Sequence, residues 1–282
     1  MKIFKTIQEV HSFSNTHRLN GKTIGLVPTM GALHQGHLDL VRASKSTCDI
    51  SIATIFVNPA QFNNPKDLEK YPRNINQDIN LLEEVGCDAL FSPAVDEVYQ
   101  KESDISINLG SITRELEGKF RPGHFDGVAL VVSKLFNIIQ PNTAFFGQKD
   151  IQQYFVIKKL RDALNFPISL EMVLTKREPN GLAMSSRNKR LNTDELEEAA
   201  LIYKVLTISK QELNKGLELV KVKNQVEELF NNSDRLALEY FEAVDVNDFN
   251  PLDSIQNKEQ TVLCISAEIG NVRLIDNVPL FS

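Results

Sequence analysis

Two histidines three residues apart, His34 and His37, lie in the stretch Pro28-Thr29-Met30-Gly31-Ala32-Leu33-His34-Gln35-Gly36-His37. The preceding run Thr23-Ile24-Gly25-Leu26-Val27 is short and apolar, and Leu38, Leu40, Val41 and Ala43 recur afterwards with helical spacing. The pair therefore falls where a strand hands over to a helix. Backbone N–H groups lack intrahelical partners at such a junction, and the helix dipole favours negative charge there. Each imidazole adds a donor, stronger when protonated. The pair reads either as a helix-capping or surface pair with no ligand or, as the better functional reading, as donors to a phosphate group, pointing to a nucleoside triphosphate handled without a Walker loop. The two histidines suit zinc less well, because no third His or Cys lies nearby and the Glu that accompanies paired histidines in metalloproteases is missing.

Four further polar stretches could join this chemistry. Gly147-Gln148-Lys149-Asp150-Ile151-Gln152-Gln153 sits at a second strand-to-helix junction. Lys149 there can neutralise phosphate charge, and Asp150 can cap the helix or hold magnesium through water. Gln153 lies one turn in, where it can bond a polar substrate. Gly181-Leu182-Ala183-Met184-Ser185-Ser186-Arg187-Asn188 is a donor-rich loop whose Arg187 can grip a phosphate bidentately. Asn58-Pro59-Ala60-Gln61-Phe62-Asn63 ends a strand and offers Gln61 as an uncharged donor and acceptor. The fifth stretch, residues 117–127, is rich in glycine and cations and reads as a solvated rim or lid rather than core.

The elements that must position these residues alternate along the first half of the chain. Strands are expected at 23–27, 50–57, 88–91, 143–146 and 168–173, with helices near 36–47, 74–85, 128–139 and 150–164. Short apolar strands between helical patterns predict an α/β fold, a Rossmann-like parallel sheet with helices on both faces. Ligands bind such sheets at the carboxyl ends of the strands, where His34, Asn58 and Gly147 all fall. After Arg177 the composition changes. Asn192-Thr193-Asp194-Glu195 reads as a capping box opening a helix over 193–213, with another at 217–230. Strands follow at 237–246, 261–267 and 271–275, with a hairpin at Ile269-Gly270-Asn271. The expected division is residues 1–177, a Rossmann-like nucleotide-binding domain, and 178–282, a smaller α+β domain.

The chain has 282 residues, 42% hydrophobic and 24% charged, with a net charge of −6. This is a globular balance that disfavours a broad nucleic-acid-binding face. The sequence has no apolar run near the ~20 residues needed to span a bilayer, and its start lacks the apolar centre of a signal peptide. Cys48, Cys87 and Cys264 have no ligand-like spacing and read as buried thiols in a reducing, cytoplasmic compartment.

His-x-Gly-His early and Met-Ser-Ser-Arg late resemble the two signatures of the nucleotidyltransferase superfamily that includes class I aminoacyl-tRNA synthetases. The full set is more specific. Pro-Thr-Met-Gly-Ala-Leu-His-x-Gly-His, Phe-Val-Asn-Pro-x-Gln-Phe, Arg-Pro-Gly-His-Phe-x-Gly-Val, Phe-Phe-Gly-x-Lys-Asp and Gly-Leu-Ala-Met-Ser-Ser-Arg-Asn run in order from Pro28 to Asn188. Together they resemble the pantoate–β-alanine ligase family. That resemblance implies two steps. ATP adenylates the carboxylate of (R)-pantoate with release of pyrophosphate, and the β-alanine amine then displaces AMP to give pantothenate. By similarity Met30, Gly31, Ala32, Leu33, His34, Gln35, Gly36 and His37 would line the ATP site. His37 would act as proton donor or as stabiliser of phosphate charge. Gln61 would bond pantoate close to the β-alanine position, and Gln153 would hold pantoate from the other side. Gly147, Gln148, Lys149 and Asp150 would contact the nucleotide, with Lys149 on the phosphates and Asp150 on the ribose or a nearby polar group. The Lys176 backbone would face adenine. Met184, Ser185, Ser186 and Arg187 would close over ATP, so that the smaller domain forms a lid. His34, His37, Lys149, Ser185 and Arg187 would carry the catalysis. The triphosphate implies Mg²⁺, with no dedicated protein metal site, and the family implies a homodimer. Asn74, Lys176, Asn180 and Arg190 depart from the family pattern, and none of them is a proposed catalytic group. The competing readings are another adenylyltransferase of the superfamily, or a nucleotide-binding module without chemistry.

Overall fold

A computed structural model describes residues 1–63, 68–69, 71–99 and 105–281. The chain forms two compact units, Met1–Gly147 with Gln153–Leu174, and Gln148–Gln152 with Thr175–Ser282. The division expected after residue 177 falls after Leu174, and the stretch 148–152 packs with the second unit. Asn277 contributes to this packing. Asn277 Nδ2 donates to the carbonyls of Gln148 and Lys149, each at 2.9 Å.

The first unit is built on six strands: β1 (Lys2–Phe4), β2 (Ile24–Thr29), β3 (Ile50–Ile55), β4 (Ala89–Phe91), β5 (Thr143–Gly147) and β6 (Ser169–Val173). All pairings are parallel, in the order β1-β4-β3-β2-β5-β6. Ile24, Leu26, Val27, Ile52 and Ala53 are fully buried, as a sheet covered on both faces requires. From β2 the chain winds through β3 to β4 in one direction, and from β4 to β5 and β6 in the other. Right-handed crossovers therefore put helices Gln35–Thr47 and Ile75–Glu84 on one face. Helices Ile7–Leu19, His124–Ile139 and Ile151–Ala163 go to the opposite face. Val27, Leu33, Leu40, Val41, Leu82 and Phe145 form the core of the first face.

The winding reverses between β2 and β5. Their pairing covers only Gly25–Thr143 and Leu26–Ala144, while β2 runs on to Thr29 alongside β3 and β5 runs on to Gly147 alongside β6. The β2–β5 ladder thus stops short of the carboxyl ends of both strands, at the reversal point where ligands bind in this architecture.

Helix His124–Ile139 begins four residues before the expected Val128. The expectation of a solvated rim over 117–127 is corrected here, because Glu117, His124 and Phe125 are buried. Glycines in this stretch resemble loop signals, yet Gly127 serves close packing. A Cβ there would stand 2.2 Å from the Ala60 carbonyl oxygen and 2.7 Å from the Gln61 nitrogen.

The second unit carries an antiparallel sheet of β7 (Leu236–Asp245), β8 (Thr261–Ile269) and β9 (Val272–Pro279). Its core joins Ile202, Leu206 and Val222 to Leu263, Ile265 and Ile269. The expected hairpin is present. Gly270 and Asn271 take φ +53° and +60°, as a two-residue turn matching strand twist demands. The capping box is also present: the Asn192 side chain accepts from Glu195 N, and Glu195 accepts from Asn192 N. The single helix expected over 193–213 is two, Thr193–Ala199 and Leu201–Asn214, broken at Ala200, whose N–H reaches back to Glu197 and Glu198 carbonyls. Cys48, Cys87 and Cys264 are buried free thiols, and burial pushes the Cys87 thiol up to about 11.

Candidate functional site

In the first unit the chain leaves β2 through Met30–Leu33 and enters helix Gln35–Thr47 with His34 as its N-cap. Gly36 N–H donates to His34 Nδ1 at 3.2 Å, and His34 N–H donates to His37 Nδ1 at 3.3 Å. The two rings lie 4.1 Å apart between centroids. The histidines therefore form a reciprocal capping box in which Nδ1 supplies the acceptor on each ring. A neutral imidazole that accepts at Nδ1 carries its proton on Nε2, so each ring presents Nε2–H as a donor.

The turn that delivers them is bent through left-handed backbone at Gly31 (φ +83°) and Ala32 (φ +52°). Asp78, from helix Ile75–Glu84, holds it there. Its Oδ2 accepts from Ala32 N–H at 2.9 Å and its Oδ1 from Leu33 N–H at 2.8 Å, and the residue is 2% exposed. Asp78 was not among the residues expected from sequence, although a signal exists. It occupies the apolar stripe of its helix, with Ile75, Ile79 and Leu82 at the neighbouring positions, where a carboxylate is costly unless it has partners.

Gln61 closes the short turn Pro59–Gln61 and is 6% exposed. Its Nε2 donates to Met30 Sδ at 3.0 Å, so the structure brings Gln61 against the first residue of the histidine turn. Asn58 Nδ2 donates to Gln61 Oε1 and to the Gly127 carbonyl, both at 3.0 Å. Asn58 Oδ1 accepts from Tyr99 O–H at 2.8 Å and from Ala60 N–H at 3.3 Å. Burial pushes the Tyr99 hydroxyl up to about 12, which keeps it protonated. His124 Nδ1 bonds the Gln61 carbonyl at 3.0 Å and, facing an oxygen that can only accept, must donate. Asn58 and His124 lie in two of the stretches singled out from sequence but without an assigned role, and Tyr99 lies outside them. Asn-Pro reads as a mere turn, and no local pattern ties residue 99 or 124 to residue 58. Gln153 is half-buried in the first turn of helix Ile151–Ala163, beyond the carboxyl end of β5.

In the second unit, Lys149, Ser185 and Arg187 line one concavity together with Leu182, Arg273 and Asp276. Lys149 from one expected motif is thus brought together with Ser185 and Arg187 from another. Lys149 pairs with the exposed Asp150 at 3.7 Å. Ser185 caps the 3₁₀ turn Ser186–Arg190, its Oγ accepting from Arg187 N–H at 3.2 Å. Arg187 Nη1 donates to the Arg273 carbonyl at 3.2 Å. Met184 N–H donates to the Lys176 carbonyl at 2.9 Å, so the two backbones run side by side, and the Lys176 side chain is exposed. Gln148 is buried and bonds Asn277 Oδ1 through Nε2 at 3.3 Å.

Beneath this concavity Asp276 is buried in a two-armed pair with Arg177, at 2.5 and 3.1 Å. Burial raises its carboxyl while Arg177 opposes the rise. Arg177 also stacks on Tyr203, 3.5 Å from the ring centre. Asn74, Asn180 and Arg190 each have a local partner. Asn74 caps helix Ile75–Glu84, Asn180 accepts from Leu182 N–H at 3.1 Å, and Arg190 donates to the Asn271 carbonyl at 3.2 Å.

Comparison with known proteins gives one consistent result. Residues 2–279 match the family model described as pantoate-beta-alanine ligase. The chain is 45% identical over 278 residues to the pantothenate synthetase of Porphyromonas gingivalis, covering 99% of each chain. It is 47% identical over 279 residues to that of Acinetobacter baylyi, covering 99% of this chain and 98% of the relative. Among solved structures, a pantothenate synthetase from Thermus thermophilus superposes with a TM-score of 0.91 at 34% identity, over 100% of both chains. A pantoate-beta-alanine ligase from Francisella tularensis, complexed with beta-gamma ATP and beta-alanine, superposes with a TM-score of 0.81 at 36% identity, over 99% of this chain and 98% of that one. With family agreement along nearly its whole length, and the histidine turn set at the reversal point of a parallel sheet, this chain belongs to the pantoate–β-alanine ligase family.

Proposed function

We propose that this chain condenses pantoate with β-alanine using ATP, forming pantothenate, AMP and pyrophosphate. The observation that carries the proposal is the family match over residues 2–279, with His34 and His37 at the carboxyl end of β2. In the first step a pantoate carboxylate oxygen attacks the α-phosphorus of ATP and pyrophosphate leaves. In the second the β-alanine amine attacks the acyl carbon, loses a proton, and AMP leaves. The protein's task is to hold two anions together and neutralise the charge that develops.

Met30 to His37 supply the nucleotide-binding turn, with the Nε2–H groups of His34 and His37 donating to phosphate oxygens. A ring whose Nδ1 already accepts from backbone is set to hold charge at Nε2, so we assign His37 the stabilising role. Gln61 and Gln153 take pantoate, and Gln61 lies closest to the β-alanine position. Gly147, Gln148 and Asp150 contact the nucleotide, Lys149, Ser185 and Arg187 its phosphates, and Lys176, Met184 and Ser186 complete the ATP contacts. Among the described residues no group of three or more His, Cys, Asp or Glu could hold a metal ion. Mg²⁺ would enter with the triphosphate, and no step is routed through a protein-bound metal. None of the described helices is long and apolar enough to cross a membrane. We place the enzyme in the cytoplasm as a homodimer, following the family pattern.

The test is purified protein with ATP, Mg²⁺, pantoate and β-alanine, each omitted in turn. Pyrophosphate release should require pantoate, and AMP release should require β-alanine as well. His37→Ala and Lys149→Ala should each slow pyrophosphate release by about a hundredfold or more, as for loss of one charge-stabilising donor. Near-normal release by both variants would remove these assignments, and release independent of pantoate would remove the proposed function.

A further inference from the structure

The polarity of the amide chain behind Gln61 is fixed by backbone groups whose roles cannot be exchanged. Ala60 N–H can only donate, so the Asn58 atom it meets at 3.3 Å is the amide oxygen. The Gly127 carbonyl can only accept, so the Asn58 atom it meets at 3.0 Å is the amide nitrogen. That nitrogen also faces Gln61 at 3.0 Å, and the Gln61 atom there must therefore be Oε1. The Gln61 NH₂ group is thereby turned away from Asn58, with one direction toward Met30 Sδ, a weak acceptor. Tyr99 stands at the head of the chain, its hydroxyl donating to Asn58 Oδ1 at 2.8 Å. The nearby Lys134 ammonium lies 5.2 Å over the Tyr99 ring and donates to the Val98 carbonyl at 3.0 Å, fixing the ring and its backbone.

We propose that Tyr99 is a positioning residue: through Asn58 it tightens the orientation set by the backbone, in which Gln61 directs its amide N–H, not its carbonyl, at the bound acid. The proposal rests on the assignment of Gln61 to pantoate. Its chemical consequence is selective. An amide locked as donor meets a carboxylate or hydroxyl oxygen and repels an ammonium group. Gln61 then offers its N–H to the oxygens of the acid and no acceptor to the ammonium end of β-alanine. Ala60 N–H and the Gly127 carbonyl set which end of Asn58 faces Gln61, and the Tyr99 hydroxyl adds a second donor to the same Asn58 oxygen, restraining the amide in that orientation.

A double-mutant cycle with Tyr99→Phe and Gln61→Ala tests this, reading kcat/KM separately for pantoate and for ATP. Tyr99→Phe removes one hydroxyl at nearly constant volume. It should lower kcat/KM for pantoate about three- to tenfold, the net worth of one hydrogen bond, and leave that for ATP unchanged. In the Gln61→Ala background the same substitution should have no further effect. An equal loss in both backgrounds, or an equal loss for pantoate and ATP, would mean a purely structural role and overturn the proposal. Gln61→Ala impaired with Tyr99→Phe indistinguishable from the parent overturns the relay alone. Gln61→Ala without effect on pantoate overturns the assignment of Gln61 itself, and the relay with it.

Discussion

Asp78→Asn is the substitution whose outcome the geometry fixes most closely. The parent carboxylate accepts two backbone N–H bonds, from Ala32 at 2.9 Å and Leu33 at 2.8 Å, with 2% of the residue exposed. The amide keeps the shape and one acceptor, but sets its own N–H₂ against the second backbone N–H. One charge-assisted bond is lost, worth about 1.5–3 kcal/mol, and a buried donor is left facing a donor. Against a total stability of about 5–15 kcal/mol this is a substantial fraction. It corresponds to a fall in melting temperature of roughly 3–6 °C, at about 2 °C per kcal/mol for a chain of this length. The functional consequence is separate. The turn carries left-handed backbone at Gly31 and Ala32, which the two bonds hold in place, and it delivers His34 and His37. Release of the turn should raise KM for ATP at least about tenfold, the equivalent of 1.4 kcal/mol, with a smaller change in KM for pantoate. Scanning calorimetry and steady-state kinetics on the same preparation check both. An unchanged melting temperature with unchanged KM for ATP would refute the bracing role; a lowered melting temperature with KM intact would confine Asp78 to stability.

Two more expectations concern positions outside the proposed catalytic set. Asn277→Asp replaces the amide that donates to the Gln148 and Lys149 carbonyls by a carboxylate facing two carbonyl oxygens. It should slow pyrophosphate release more than Asn277→Ala does, because repulsion displaces the Lys149 backbone whereas truncation only frees it; equal rates for the two variants would contradict this. Asp49 accepts from Thr23 N–H and Thr23 Oγ1, each at 2.9 Å, and from Lys22, and the Thr23 backbone bond leads the causes that lower its carboxyl to about 2. A carboxyl lower in the folded chain than in the unfolded one stabilises above its unfolded value near 3.8 and loses that contribution as pH falls through about 2. The stability advantage over Asp49→Asn, followed by urea denaturation, should therefore be full at neutral pH and fade between about pH 4 and pH 2; an advantage independent of pH would exclude it.

Much of this molecule is written locally. The strand-to-helix junctions at His34 and at Gly147 follow from apolar runs meeting helical spacing, and the alternation of such units fixes a parallel sheet with its ligand edge at the strands' carboxyl ends. The capping box at Asn192 and the turn at Gly270-Asn271 are equally local, because each depends on a few adjacent residues. Other features depend on distant segments. Gly127 looks like a loop glycine until the Ala60 backbone is seen against it, and His124 looks like a rim cation until it donates to the Gln61 carbonyl. Gln148–Gln152 follows the first unit in sequence but packs with the second, where Asn277, more than a hundred residues later, bonds its carbonyls. The sequence by itself determined which groups are available for the proposed chemistry, since motif residues carry their donors and charges wherever they are placed. The tertiary structure alone decided how those groups are aimed: Asp78 on the histidine turn, and Tyr99 through Asn58 on Gln61. A hydrogen bond acts over about 3 Å of space, whatever the number of residues between its partners.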